Sequence, residues 1–272
     1  MSVRAFLDAW RVALRIMGRI VRSYMEFRVE FALTVAIGAI WQMSVIVFAT
    51  VLLGRFSGMG GWSTDAVLLL VGLRMLAHAL YVLFFGRISG LTDIVQEGLM
   101  EAYLLRPMPV YRQVQLTYFP NNAIGDLIVG ISLSFAAISR TQVHWTAPRI
   151  AFLVAAVTGG VFVEAAIFTA LSSAALHYPA ASYWSSWVEE LMGTFGSYPL
   201  KILPGIVSGL FTFLVPLAFV AYLPTAVLTG NTHGLGVPVA LAVASPLIGV
   251  LAFLLSRRLW NWSLSHYTGV NG

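Results

Sequence analysis

Long apolar runs separated by short polar stretches dominate the pattern of this chain. A helix needs about 20 apolar residues to cross a bilayer. Runs of that length occur at residues 31–53, 64–85, 117–138, 149–174, 201–222 and 238–256. The stretches between them are rich in Gly, Pro and charged residues, which favour turns and exposed loops. The pattern therefore predicts an all-α integral membrane protein with six transmembrane helices, forming a single transmembrane domain over residues 1–272.

Composition supports this fold class and excludes several chemistries. Of 272 residues, 59% are hydrophobic and only 10% are charged, which leaves little chain for a soluble domain. The absence of Cys excludes disulfides, thiol chemistry and cysteine metal sites. The only lysine, Lys201, lies in SYPLKILPG and not in a phosphate-binding G-x-x-x-x-G-K-[ST] loop. Any ATP-driven function would therefore take its energy from another subunit.

The first 28 residues have the pattern of an amphipathic helix lying in the membrane interface. At about 100° per residue, the arginines fall within an arc of about 80° and apolar residues occupy the opposite side. The arginines are Arg4, Arg11, Arg15, Arg19 and Arg22, and the apolar side holds Phe6, Trp10, Leu14, Met17, Ile20, Val21 and Tyr24. The segment is either a topology signal and anchor or a specific site for lipid or a partner.

The distribution of basic residues predicts the orientation. Cytoplasmic segments of membrane proteins carry an excess of Lys and Arg. With a cytoplasmic N-terminus, the inside holds the arginines of residues 1–28 and also Arg87, Arg106, Arg112, Lys201, Arg257 and Arg258, whereas Arg55, Arg140 and Arg149 lie outside. Both termini are then predicted to be cytoplasmic. The net charge of +5 favours contact with anionic lipid rather than with nucleic acid.

The cytoplasmic segment 86–115, between the second and third spans, is the first candidate for function. Its sequence GLTDIVQEGLMEAYLLRP predicts one short helix that ends at Arg106–Pro107. Asp93, Glu97 and Glu101 are spaced by four residues, so they would form one acidic face. The helix either packs under the bundle as a solvated helix or docks a soluble partner and transmits its movement.

Charged residues inside the spans are the second candidate. Arg74, Asp126 and Glu164 lie about 15, 18 and 22 Å from the outer ends of their spans, and His78 follows Arg74 by one turn. An unpaired charge in hydrocarbon is costly, so we expect Arg74 to pair with a carboxylate. Depth favours Asp126, with Glu164 within reach of the long side chain. The cluster is either a structural ion pair or a polar patch on a substrate route.

A membrane-embedded enzyme, such as an intramembrane hydrolase using Glu164, Asp126 or a histidine, is the alternative class of function. An enzyme is expected to gather its acid, base or metal ligands into a recognisable set. Here the candidates are single and spread over different helices. No histidine pair has helical ligand spacing and no H-E-x-x-H occurs, so the sequence predicts no metal site.

Several motifs, in order along nearly the whole chain, resemble the permease subunits of bacterial ABC-2-type transporters. The resemblance is to a branch of six-span permeases encoded beside an ATPase and often a second permease. The motifs are FRVEF at 27–31, GGWSTDAVLLLVG at 60–72, IVQEGLMEAYLLRPMPVYRQV at 94–114, FGSYPLKI at 195–202, LVPLAFVAYLPTAVL at 214–228 and the ending WNWSLSHYTGVNG. Arg74 departs from the family, where a neutral residue is expected, so it inherits no role from the resemblance.

The resemblance implies a permease that exports drugs, lipids or glycans across the bacterial cytoplasmic membrane. ATP and Mg would be bound by separate ATPase subunits, and this chain would bind no cofactor and catalyse no reaction itself. The segment holding Asp93, Glu97, Glu101, Arg106 and Pro107 would insert into the ATPase as a coupling helix. A re-entrant helical turn is expected between spans five and six, where Pro216, Pro224, Gly230, Gly234, Gly236 and Pro238 supply breaks.

A G-x-x-x-G motif at Gly205 and Gly209 predicts a close helix contact. The motif alone leaves open whether the contact is with a neighbouring span of the same chain or with another subunit. In the family, permeases pair through their first and fifth spans, which favours a second permease chain, identical or homologous, as the partner.

Overall fold

The computed structural model describes residues 15–269 apart from residues 17, 21, 56–60, 118 and 179–180. Most of the predicted interfacial helix, including Arg4 and Arg11, lies outside the described residues. Of that segment, residues 22–26 are helical and Arg15, Arg19 and Arg22 are exposed.

All secondary-structure elements in the described ranges are helices. The α-helices are α1 (Arg28–Arg55), α2 (Thr64–Phe85), α3 (Leu91–Gln96), α4 (Met100–Leu104), α5 (Val110–Gln115), α6 (Asn122–Arg140), α7 (Ala147–Ala175), α8 (Ala181–Phe195), α9 (Gly205–Gly209), α10 (Tyr222–Thr229), α11 (Val239–Val243) and α12 (Ser245–Ser265). Short 3-10 turns at Gly86–Gly90, Leu200–Ile202 and Leu217–Phe219 and a π-helix at Leu210–Leu214 join them.

Four helical stretches among the described residues are long and apolar enough to cross a membrane. They are Arg28–Phe48, Thr64–Gln96, Asn122–Arg140 and Ala147–Ala175. These stretches coincide with the first four predicted spans, because each combines sufficient length with few charges. The second is longer than expected, since α2 continues through the turn Gly86–Gly90 into α3.

The two predicted C-terminal spans differ from the helices found there. The prediction of one continuous helix over 201–222 is wrong, since that stretch is divided among the 3-10 turns, α9 and the π-helix. Pro204 and Pro216 stand at its breaks, where proline lacks the N–H that a continuous helix requires. A regular helix, α8, instead occupies the preceding segment, which looked like a mixed connection. The stretch predicted at 238–256 is split into α11 and α12, and α12 continues to Ser265.

Glycines allow the long helices to approach one another closely. A Cβ built on Gly249 of α12 would overlap the carbonyl oxygen of Gly159 in α7. Close approaches also join α6 to α1 and α2, at the pairs Gly38 with Asn122, Gly125 with Val35, Gly72 with Ser134 and Gly130 with Leu76. Small residues at crossings are the usual means of helix association in lipid, where apolar side chains gain little by leaving the solvent.

A hairpin formed by α9, its π-helical continuation and α10 packs into the bundle. Its turn, at residues 215–221, brings the Val220 carbonyl to 2.7 Å from a Cβ built on Gly160, about halfway along α7. After the turn, the Tyr222 ring stacks on Trp62, which precedes α2, with 5.4 Å between ring centroids. The hairpin therefore contacts α7 near its middle and the residue that precedes α2.

Lys201 lies at the opposite end of the bundle from the one predicted for it. Its ammonium group donates to the carbonyl of His233 over 3.3 Å, in the connection that leads to α11. The cytoplasmic assignment of Lys201 assumed a span beginning at residue 201. Because α8 precedes it, the chain has already run along the bundle by that point.

The crossing of α7 and α12 generates the first testable prediction. Gly249→Ala should lower the thermal stability of the purified protein, because the added methyl group meets the Gly159 backbone. Overpacking of this kind costs about 1–3 kcal/mol. Gly193→Ala in α8 is the matched control, since no atom of the described residues lies within 4 Å of its added Cβ. A midpoint for Gly249→Ala equal to that of the control would contradict the packing.

Candidate functional site

The segment between α2 and α6 contains two short helices, and the prediction of one helix is wrong. Gly98 adopts a left-handed conformation with φ of 68°. The N–H of Leu99 donates to Ile94 over 3.0 Å and that of Gly98 to Val95 over 3.1 Å, which is the Schellman pattern that ends a helix. Asp93 therefore lies on α3 and Glu101 on α4, so the acidic residues do not share one helical face.

All five predicted coupling residues are nevertheless exposed. They are Asp93, Glu97, Glu101, Arg106 and Pro107. The same segment exposes apolar side chains, most of all Leu105 at 88%, together with Leu99 and Leu104. Acidic groups beside exposed leucines are typical of a surface that another protein covers. We call residues 91–107 the acidic segment.

The other side of this loop is bonded to the long helices. Tyr111 shares a hydrogen bond of 3.0 Å with Thr169 of α7. The Arg257 guanidinium of α12 lies 3.5 Å from the centroid of the Tyr111 ring. Ser172 of α7 also donates to the Ile88 carbonyl over 2.7 Å. A displacement of the loop would therefore act directly on α7 and α12 through these contacts.

The C-terminal segment contacts the acidic segment, a feature that the sequence analysis missed. Tyr267 donates its hydroxyl to the Glu101 carboxylate over 3.2 Å. Burial, and then the nearby Glu101 charge, raise the pKa of Tyr267, so the hydroxyl keeps its proton at neutral pH. The only sequence signal was the Tyr-Gly ending that the chain shares with the family it resembles.

A fully buried carboxylate, Glu164 of α7, is the centre of the intramembrane polar cluster. Arg74 Nη1 of α2 lies 3.1 Å from Glu164 Oε1, an ionic contact without hydrogen-bond alignment. His78 Nδ1 lies 2.8 Å from the second oxygen, Oε2. Arg74 therefore pairs with a carboxylate, as expected, but the preference for Asp126 as its partner is wrong.

Arg74 pairs with Glu164 rather than Asp126 because of the direction in which its side chain leaves α2, not because of its depth in the bundle. Asp126 lies on α6 beside Gln42 of α1 and is within electrostatic range of His78. Arg74 instead extends towards α7, where it meets Glu164, and towards the end of α8. Gly196 leaves it room, since a Cβ there would lie 2.8 Å from Arg74 Nε.

A cavity of about 870 Å³ opens beside this cluster, between α1, α2 and α8. Arg74 and His78 reach its wall, whereas Glu164 lies behind them. The wall includes Trp41, Gln42, Phe48, Met75, Glu189, Glu190 and Tyr198. Sequence reasoning missed the cavity, because α8 was not predicted as a helix beside α2.

Gly205 and Gly209 lie apart from these sites, on α9. A Cβ built on either glycine meets no atom of a described residue within 4 Å. Within the described part of the chain, the G-x-x-x-G motif therefore has no close neighbour.

Residues 39–271 match the family model described as ABC-2 family transporter protein. The chain belongs to the ABC-2 transporter family. Proteins of this family are membrane components of transporters, generally non-catalytic, and typically work with ATPase subunits. No similar protein was found among curated sequences and no similar structure among solved ones. In the described part of this family member, no group of three or more His, Asp or Glu residues could hold a metal ion.

The buried pair generates the second prediction. Glu164→Gln should destabilise the permease by about 3–5 kcal/mol, because it leaves the Arg74 charge buried without a counter-charge. Adding Arg74→Met should restore much of that loss, as measured by thermal unfolding in detergent. Asp126→Asn is the comparison variant, and Arg74→Met should not rescue it. Equal rescue of both variants would show that Arg74 has no specific coupling to Glu164.

Proposed function

We propose that this chain is the permease subunit of an ATP-driven ABC-2-type exporter. It moves a small amphiphilic molecule, a drug or a lipid-like compound, out of the cell, and a separate subunit binds ATP with Mg²⁺ and hydrolyses it. The family match over residues 39–271 is the observation that carries this proposal. The exposed acidic segment and its bonds to the bundle are consistent with it.

The proposed topology has six crossings in the bacterial cytoplasmic membrane, with both termini in the cytoplasm. Helices α1, α2, α6 and α7 make the first four, α8 with residues up to 203 the fifth and α12 the sixth. The α9–α10 hairpin is then a re-entrant pair from the outer side. The basic N-terminal residues contact anionic lipid, and the remaining arginine asymmetry supports this orientation even with Lys201 outside.

In this proposal the acidic segment inserts into the ATPase and transmits its movement. Asp93, Glu97 and Glu101 supply charge, and the exposed leucines supply apolar contact area. The hydrogen bond of Tyr111 to Thr169 and the Arg257 contact pass the movement to α7 and α12.

Charge reversal tests the docking surface. Glu97→Lys with Glu101→Lys should lower substrate-stimulated ATP hydrolysis by tenfold or more in the complex with its ATPase subunit, because the introduced lysines would repel the basic groups that the acidic side chains are proposed to meet. Membrane insertion and the yield of permease should not change. Arg140→Glu, an exposed charge reversal at the other end of α6, is the control. Full ATPase assembly and turnover in the double variant would contradict the docking role.

A second permease chain, identical or homologous, is the proposed partner of α9. Gly205 and Gly209 leave a shallow surface that no described residue of the same chain covers. Close approach of another helix there would supply the packing that association in lipid requires.

Replacing Gly205 and Gly209 with leucine should separate the two permease chains before it unfolds either one. Gly205→Leu with Gly209→Leu adds side-chain volume where the monomer has open space, so the unfolding midpoint of the monomer should not change. The dimer fraction, measured by crosslinking in membranes, should fall severalfold. Capture of residues of the same chain alone, by crosslinkers placed at 205 and 209, would exclude this interface.

A further inference from the structure

We infer that the cavity between α1, α2 and α8 binds an organic cation with an apolar, aromatic body. This inference rests on the proposed function, since such a molecule would be the cargo of the exporter. The volume of about 870 Å³ is in the range of pockets that enclose small organic ligands, roughly 300–1,000 Å³.

The apolar part of the wall is aromatic and accessible. Trp41 and Phe48 of α1 are 71% and 61% exposed, and Tyr198 contributes from beyond α8. Aromatic faces attract cations, and this attraction is strongest for Trp and for cations that have lost part of their water. A ligand with a flat apolar body and a positive charge would use both properties of these rings.

Two carboxylates give the wall its charge. Glu189 and Glu190 of α8 both line the cavity. Neither forms an ion pair with a described residue. Both side chains are exposed on α8, so a ligand in the cavity would reach them directly. A bound cation would supply the counter-charge that both carboxylates lack among the described residues.

The Arg74 charge in the same wall does not offset these carboxylates. It is neutralised by Glu164, which lies behind the wall at 3.1 Å from Arg74 Nη1. Arg74 is itself 95% buried, and its Nε has no hydrogen-bond partner and packs against Gly196. Arg74 with Glu164 leaves no net charge. Even a protonated His78 would leave the wall negative, because Glu189 and Glu190 supply two carboxylates. An anion of the same shape would be repelled.

Two ions of nearly equal size and shape but opposite charge test this inference directly. The full chain is reconstituted in lipid nanodiscs without an ATPase. Binding of tetraphenylphosphonium and of tetraphenylborate is measured by equilibrium dialysis, with empty nanodiscs subtracted for partition into lipid. We expect saturable binding of the phosphonium cation and none of the borate anion. Saturable borate binding of equal strength, or no saturable phosphonium binding, would overturn the inference.

Charge-neutral variants then locate the site. Glu189→Gln with Glu190→Gln should weaken phosphonium binding at least tenfold. Glu26→Gln with Glu30→Gln removes the same charge from exposed positions nearer the N-terminus and should leave the affinity unchanged. If the α8 double variant does not remain monodisperse, each single variant is measured instead, and each should weaken binding severalfold. Unchanged affinity in the α8 variants would exclude the site.

This binding test and the ATPase test can fail separately. Binding requires no ATP hydrolysis, so cation binding at α8 would stand even if no ATPase couples to the chain. Conversely, normal coupling through the acidic segment with no phosphonium binding would leave the exporter in place and remove only the cation site.

Discussion

Close backbone contact at glycines is the constraint on which the rest of this structure depends. In lipid, apolar side chains gain little from leaving one hydrocarbon surface for another, so helices must approach closely to associate. Gly159 and Gly249 bring α7 and α12 together, and Ser263 adds a hydrogen bond of 2.6 Å to the Ser173 carbonyl further along the same pair. The earlier residue of α7 meets the earlier residue of α12, and the later residue meets the later one. The two helices therefore run parallel and are joined at two points. Gly125 and Gly130 do the same for α6 with α1 and α2.

The buried Glu164 explains why the remaining helix lies where it does. A carboxylate with no exposed surface requires positive or hydrogen-bonding partners, and Arg74 and His78 supply them from α2. The Arg74 side chain can take this path only beside a residue without a Cβ, which is Gly196 at the end of α8. Charge pairing thus fixes the end of α8 against α2. Because α1 packs mainly on α6, the space between α1 and α8 stays open as the cavity.

The sequence predicted those features that depend on composition along one stretch of chain. Four apolar runs became long helices, and the costly charges at Arg74 and Glu164 did pair. It did not predict α8, whose Ser and Glu residues reduce its hydropathy although the helix lies beside α2. It also chose Asp126 over Glu164, because depth is readable from residue number, whereas the direction of a side chain depends on which neighbours the helix meets. The break at Gly98 depends on a left-handed residue inside an otherwise helical pattern.

One helix, α7, joins the candidate docking surface to the candidate cavity. Thr169 and Ser172 bind the loop that follows α2, and Glu164 lies only five residues earlier, about 7.5 Å along the axis. A helix of 29 residues moves as a rigid element over such a distance. A shift of the acidic segment would therefore change the distance between Glu164 and Arg74 more readily than it would bend α7. Lengthening that ion pair would leave positive charge on the cavity wall opposite Glu189 and Glu190, and a bound cation would then be held less tightly. Coupling to the ATPase and release of the cation would then both depend on the distance between Arg74 and Glu164.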